Sequence, residues 1–126
     1  MATQKQQQEF QDFKENIKAL RKRITEIGSK FLNDNCKDIF AKYPDLVSIS
    51  WVAYTPYFND GDTCYFHSRH NHPNLEGDLE NHSQIESEVK EFLSQFDDPL
   101  MFELFGDHAF ITITREGTTI EEYEHD

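Results

Sequence analysis

Residues 46–68 read LVSISWVAYTPYFNDGDTCYFHS, and the reading of this stretch decides between a helical and a mixed fold. Val47, Ile49, Trp51 and Ala53 alternate with Leu46, Ser48, Ser50, Val52 and Tyr54, the period of two that marks a strand. Asn59-Asp60-Gly61-Asp62 supplies the Asp-Gly pair of a tight hairpin turn, and TCYFHS at 63–68 reads as the returning strand. Pro56 has no amide hydrogen to give a ladder, so the outer end of this hairpin is expected to be an edge or a bulge. Trp51 belongs to the core on this reading, and Tyr54, Tyr57 and Phe58 ring the tip.

Upstream, Phe10, Phe13, Ile17, Leu20, Ile24, Ile27 and Phe31 follow at alternating intervals of three and four, a heptad stripe on one long helix. With Phe10 at position a, the flanking e and g sites hold Lys14, Arg21 and Gly28, and Glu9, Asn16, Arg23 and Lys30, so only Glu9 with Lys14 makes a good parallel pair. The stripe is expected to pack on the protein's own acidic body. The alternative is a homodimer through residues 10–31, with Phe13, Ile17, Leu20, Ile24 and Ile27 as its seam.

Asn33-Asp34-Asn35 is expected to break or recap the helix, and Cys36, Ile39, Phe40 and Tyr43 carry an apolar face on to Pro44. Residues 69–81 read as loop. Asn81 with Gln84 signals a helix whose buried face is Ile85, Val89, Phe92, Leu93 and Phe96. Asp98 as cap, Pro99 in the first turn and Gly106 at the end mark another short helix. A second hairpin closes the chain, turning at Glu116-Gly117, with Ile111 and Ile113 on one face and Thr112 and Thr114 on the other. The expected fold is α+β: residues 1–8 frayed, then one domain over 9–126, helical at 9–43 and 82–105. Hairpins at 46–68 and 109–124 form an antiparallel sheet of about four strands under the helices.

The chain of 126 residues carries 24 acids against 12 bases, a formal net charge of -12. From Leu46 onward there are three bases and seventeen acids. Such a body repels nucleic acid and anionic membranes and attracts basic proteins. No apolar run approaches the roughly 18–20 residues of a membrane span, and MATQKQQQEF has neither the apolar core nor the cleavage site of a secretory signal. The expectation is a cytoplasmic protein with Cys36 and Cys64 as free thiols.

Cys64, His67, His70 and His72 are the residue types of a metal or small-ligand module, though on a regular strand Cys64 and His67 point to opposite faces. Otherwise these are surface histidines. Gly-rich phosphate loops, Gly-x-Ser-x-Gly elbows and His-Glu-x-x-His helices do not occur. No catalytic residue and no cofactor is assigned. The acids at 121–126, with Asp97, Asp98, Glu103, Asp107 and Glu116, either solvate the surface or imitate the phosphates of a duplex.

The stretches WVAYTPYFNDGDTCYF at 51–66 and FGDHAFITITREGTTIEEYEHD at 105–126 carry a resemblance. Together they resemble a family of small proteins found mainly in tailed bacteriophages, with the pattern W-x-x-Y-T-P-Y-F-N-D-G-[D/E]-x-C-x-F, then F-G-D-H, T-R-[D/E]-G and E-E-Y-[D/E]-H-D. The likeness covers about two thirds of the chain, leaves out most of the N-terminal helix and transfers no catalytic residue. It implies context: an accessory protein acting in the host cytoplasm. The function expected is binding and modulation of a host or phage protein with a basic surface, with counter-defence inhibition as one form of it. The candidate contacts are Tyr54, Tyr57, Phe58, Asp60, Asp62, Glu121, Glu122 and Glu124. A metal- or ligand-binding module and a structural protein oligomerising through the helix stand as alternatives.

Overall fold

The structure, a computed structural model, describes residues 3–57, 61 and 63–124. The expected turn residues Asn59, Asp60 and Asp62, the tip residue Phe58 and the closing His125-Asp126 lie outside the described residues.

Helix α1 spans Gln4–Lys42 without interruption. The Thr3 hydroxyl accepts from the Gln6 amide (3.1 Å), and Gln6 Oε1 accepts from the Thr3 amide (3.0 Å), a reciprocal cap. The Gln-rich stretch expected to fray is therefore the first turn of the helix. Nor do Asn33, Asp34 and Asn35 break it, because each of these side chains has an occupation compatible with helix. Asn33 Oδ1 accepts from Thr118 Oγ1 at 2.9 Å, Asp34 pairs with Lys30 at 2.7 Å, and Asn35 Nδ2 donates to the Phe31 carbonyl at 2.8 Å. The last turns bury Leu32, Cys36, Ile39 and Phe40.

Strand β1 (Leu46–Tyr54) is the middle of an antiparallel sheet, with β2 (His67–Ser68), β3 (Asn74–Gly77), β4 (Ala109–Thr114) and β5 (Gly117–Glu122). β4 pairs with Ile49–Ala53 of β1 on one side and with β5 on the other. The far edge of β1 takes two short partners, β3 against Leu46–Ser50 and β2 against Ala53 and Tyr54. Helices α2 (His82–Leu93) and α3 (Asp98–Phe105) lie with α1 on one face of the sheet. That face supplies Ile49, Trp51, Ala53, Ala109, Ile111 and Ile113, meeting Ile85, Val89, Phe92, Leu93, Phe96 and Met101. The opposite face, Ser50, Val52, Tyr54, Phe110, Thr112 and Thr114, is only half-buried. The α+β class and the faces of α2 and β4 thus stand as read from the sequence.

Four local readings change. The alternation in β1 fails at its start, where Leu46 is buried and Val47 exposed, because the register against β3 shifts between Leu46 and Ser48. The expected strand over 63–68 shrinks to His67–Ser68. Just past Tyr54 the Thr55 amide and hydroxyl turn to the Asp107 carboxylate, and Pro56 has no amide hydrogen to offer. The edge of β1 at Leu46–Ser50, beyond the reach of the expected hairpin, pairs with β3 from the segment read as loop, with Gly77 at φ 142 passing close to the Asp45 carbonyl. The caps differ as well. Asn81 precedes α2 without a side-chain capping bond, and Asp97 rather than Asp98 caps α3, its Oδ1 accepting from the Leu100 amide at 2.9 Å.

Candidate functional site

The two sequence stretches that carry the resemblance lie some fifty residues apart and meet at one end of the sheet. β1 delivers Tyr54, Thr55 and Tyr57; the turn after α3 delivers Asp107 and His108; the residue after β5 delivers Tyr123. Asp107 ties them together: its Oδ1 accepts from the Thr55 and His108 amides, each at 2.8 Å, and its Oδ2 accepts from the Thr55 hydroxyl at 2.8 Å. Burial raises the Asp107 pKa, but the bonds from Thr55 and the His108 amide outweigh it and hold the carboxyl below its ordinary value. His108 has φ 51, in the left-handed region that non-glycine residues adopt uncommonly and that His tolerates better than most.

That backbone turn aims the imidazole at Tyr57, and the two rings stack with centroids 5.0 Å apart and planes at 27°. The His108 carbonyl accepts from the Tyr123 amide at 2.7 Å, which sets the Tyr123 ring 5.3 Å from that of Tyr54. Arg69 lies over the outer side of Tyr54, 5.7 Å from the ring centroid, and donates to its hydroxyl at 3.3 Å. The result is a wall of four rings clamped by one aspartate and one arginine, with Tyr57 66% exposed.

The Thr55 hydroxyl donates to the Asp107 carboxylate, whose remaining bonds go to the backbone amides of Thr55 and His108, so this carboxylate fixes the turn. Partly exposed aromatic rings of this kind are common anchors of protein interfaces.

The acidic candidates divide. Glu121 stands opposite Phe110 and shares the face of Val52 and Tyr54, whereas Glu122 stands opposite Ala109 on the helix-bearing face. Both are exposed, as is Glu124, but successive strand residues cannot form one row. Sequence reasoning counted Asp107 as a surface acid and passed over Arg69, His108 and Tyr123; FGDH and EEY in the second stretch were the signal that could have found His108 and Tyr123.

The histidine group is partly drawn together. His67, His70 and His72 border a hollow of about 640 Å³ with Ser94, Asp97 and Asp98. His70 is not the surface histidine expected: it is buried, with one ring nitrogen bonded to Ser68 Oγ (2.8 Å) and the other to the Phe96 carbonyl (2.6 Å). Both nitrogens are thus engaged by the fold. His67 Nδ1 lies 3.7 Å from Asp98 Oδ2, and Cys64, half-buried, does not border the hollow. Among the described residues no group of three or more His, Cys, Asp or Glu side chains converges as metal ligands would. Cys36 is buried, and that burial pushes its thiol pKa to about 12.

The stripe on α1 packs on the body as expected only at its C-terminal end, where Phe31 meets Phe92 and Phe96. Phe10, Phe13, Leu20 and Ile27 are each between 57% and 60% exposed, while Ile17 and Ile24 are half-buried. The face of α1 that meets the body runs through Gly28, Leu32, Cys36, Ile39 and Phe40. Leu32 follows Phe31 by about 100° around the helix, so the heptad stripe lies on the flank of the buried face. No helix among the described residues is long and apolar enough to cross a membrane. No family model matches the chain, and comparison with curated proteins and with solved structures gives no match.

Proposed function

We propose that this chain is a non-enzymatic accessory protein that binds and modulates a protein partner, with the ring wall of Tyr54, Tyr57, His108 and Tyr123 as its contact surface. The observation that carries the reading is the convergence of residues from two distant stretches on a partly exposed aromatic surface, with Asp107 bonding the two stretches together. A body with seventeen acids and three bases from Leu46 onward favours a partner with a basic surface, and charge of this kind acts mainly on association rate and partner choice. Glu121 and Glu124 add charge near the rings. The split of Glu121 and Glu122 between two faces favours a solvating and steering role for these acids over imitation of a duplex. The resemblance to tailed-phage proteins supports a partner in the host cytoplasm, and counter-defence inhibition is a fitting role for a small acidic binder.

The test is affinity capture of the tagged full chain from cells of a phage-infected host, beside the variants Tyr57→Ala and Glu121→Lys. A protein retained by the native chain at about 0.1 M salt, released at about 0.5 M as screening shortens the range of charge, and lost with Tyr57→Ala supports the reading. Retention unaffected by Tyr57→Ala, in a variant whose circular dichroism is native, sinks it.

A further inference from the structure

We propose that two copies of this chain form an antiparallel homodimer in which the arm of each α1 lays Phe10 and Phe13 into an apolar groove of the other. α1 runs about 58 Å at 1.5 Å per residue, and its contacts with the body begin near mid-helix, where Arg21 lies 3.5 Å from Glu103, and continue through Gly28, which meets Leu104, into the C-terminal half. The N-terminal half is an exposed arm. Its stripe carries two aromatic knobs, Phe10 and Phe13, and ends in a groove of about 330 Å³ where Ile24, Ile27 and Phe31 face Phe96 and Leu100. Knobs and groove lie on one stripe, so a second copy running the opposite way satisfies both at once.

In that arrangement Phe10 opposes Ile27 of the second copy, Phe13 opposes Ile24, and Ile17 opposes Leu20, each contact occurring twice by symmetry. Strict three-four spacing keeps the seam in register over these heptads. Charge agrees with the direction. Glu9 meets Lys30 of the second copy and Asn16 meets Arg23. The one like-charged pairing, Lys14 with Arg21, falls where Glu103 already holds Arg21 and offers its carboxylate to Lys14.

A parallel pair fits worse. Phe31 already packs its ring against Phe92 and Phe96 of its own chain, at 5.6 Å and 6.0 Å, so a parallel seam would run into the body after Leu20. It would also set two strongly acidic bodies side by side. The antiparallel pair separates them and lays each arm, with six bases and three acids over Gln4–Arg23, against the acidic body of the other copy.

The proposal is tested by sedimentation velocity of the full chain at 1–100 µM, with the variants Leu20→Lys and Phe13→Lys, whose sites are exposed and whose folding is checked by Trp51 fluorescence. A dimer whose dissociation constant rises about 100-fold or more in either variant is the expected result, from the apolar burial each charge removes. Direction is read by oxidative cross-linking in a Cys64→Ser background. An equimolar mixture of Phe10→Cys and Ile27→Cys chains should form a mixed disulfide, and Phe10→Cys alone should not. A monomer at 100 µM, a dimer indifferent to both lysine variants, or efficient cross-linking of Phe10→Cys to itself overturns the proposal.

Discussion

Replacing Arg115 by Met, a side chain of similar length without donors, should be strongly destabilising for a substitution at an exposed turn. Arg115 sits in the turn between β4 and β5, yet its guanidinium reaches the end of α1. Nη1 donates to the Leu46 carbonyl at 2.6 Å, and Nη2 donates to the carbonyls of Phe40 at 3.1 Å, Tyr43 at 3.2 Å and Pro44 at 2.9 Å. It thereby satisfies the Phe40 carbonyl, one of those a helix end leaves without partners, ties that end to the start of β1 through Leu46, and places a full positive charge at the negative pole of α1. The exposed carbonyls of Tyr43 and Pro44 turn to water in the variant, so the loss comes from the two part-buried acceptors. A bond to a charged donor contributes about 1.5–3 kcal/mol and the helix-end charge about 0.3–1 kcal/mol. Stacking over Phe40, 5.3 Å from the ring centroid, adds to this. Because such terms do not add fully, the expected loss is about 3 kcal/mol. At about 2.1 cal/mol/K per residue for 126 residues that is about 11 °C in Tm. Urea unfolding followed by Trp51, the only tryptophan, measures it, and Arg115→Lys should recover part of the loss because it keeps the charge without the fork. A Met variant within about 0.5 kcal/mol of native refutes the account of Arg115 as the clamp between hairpin and helix.

Gly77→Ala should cost about 2–4 kcal/mol in the same titration, because a Cβ there lands 2.2 Å from the Asp45 carbonyl oxygen at φ 142; a change under about 1 kcal/mol would mean that β3 is not held where it is described. Asp107 sets the sign of a pH effect. Its folded pKa lies below the ordinary aspartate value of 3.8, so its stabilisation is present above that value and is lost as the pH falls through the folded one. Asp107→Asn should therefore lower stability at pH 6 and flatten its decline between pH 5 and pH 2; an unchanged acid limb contradicts the clamp. Among the thiols, iodoacetamide at pH 8 should label Cys64 and leave Cys36 intact until the protein unfolds, since burial holds the Cys36 thiol near pKa 12; equal labelling in the native state counts against that burial.

The sequence by itself determined which segments are helix and which are strand wherever the apolar period was unbroken. Ile85, Val89, Phe92, Leu93 and Phe96 could bury only as a helical face, and Ile111 and Ile113 only as one side of a strand. Local polarity set the start of α3 to within one residue and the end at Gly106, because capping is decided within one turn. Tertiary structure decided what depends on partners far along the chain. β3 exists because the edge of β1 is left open, and β2 stops because Asp107 takes the backbone of Thr55, fifty-two residues away. The ring wall was written into two stretches, but only folding shows that they touch. The heptad stripe was legible as a stripe; whether it faced the body depended on a rotation of about 100°, fixed by Leu32, Cys36, Ile39 and Phe40 winning the core. A periodic pattern tells which residues share a face, and only packing tells what that face meets.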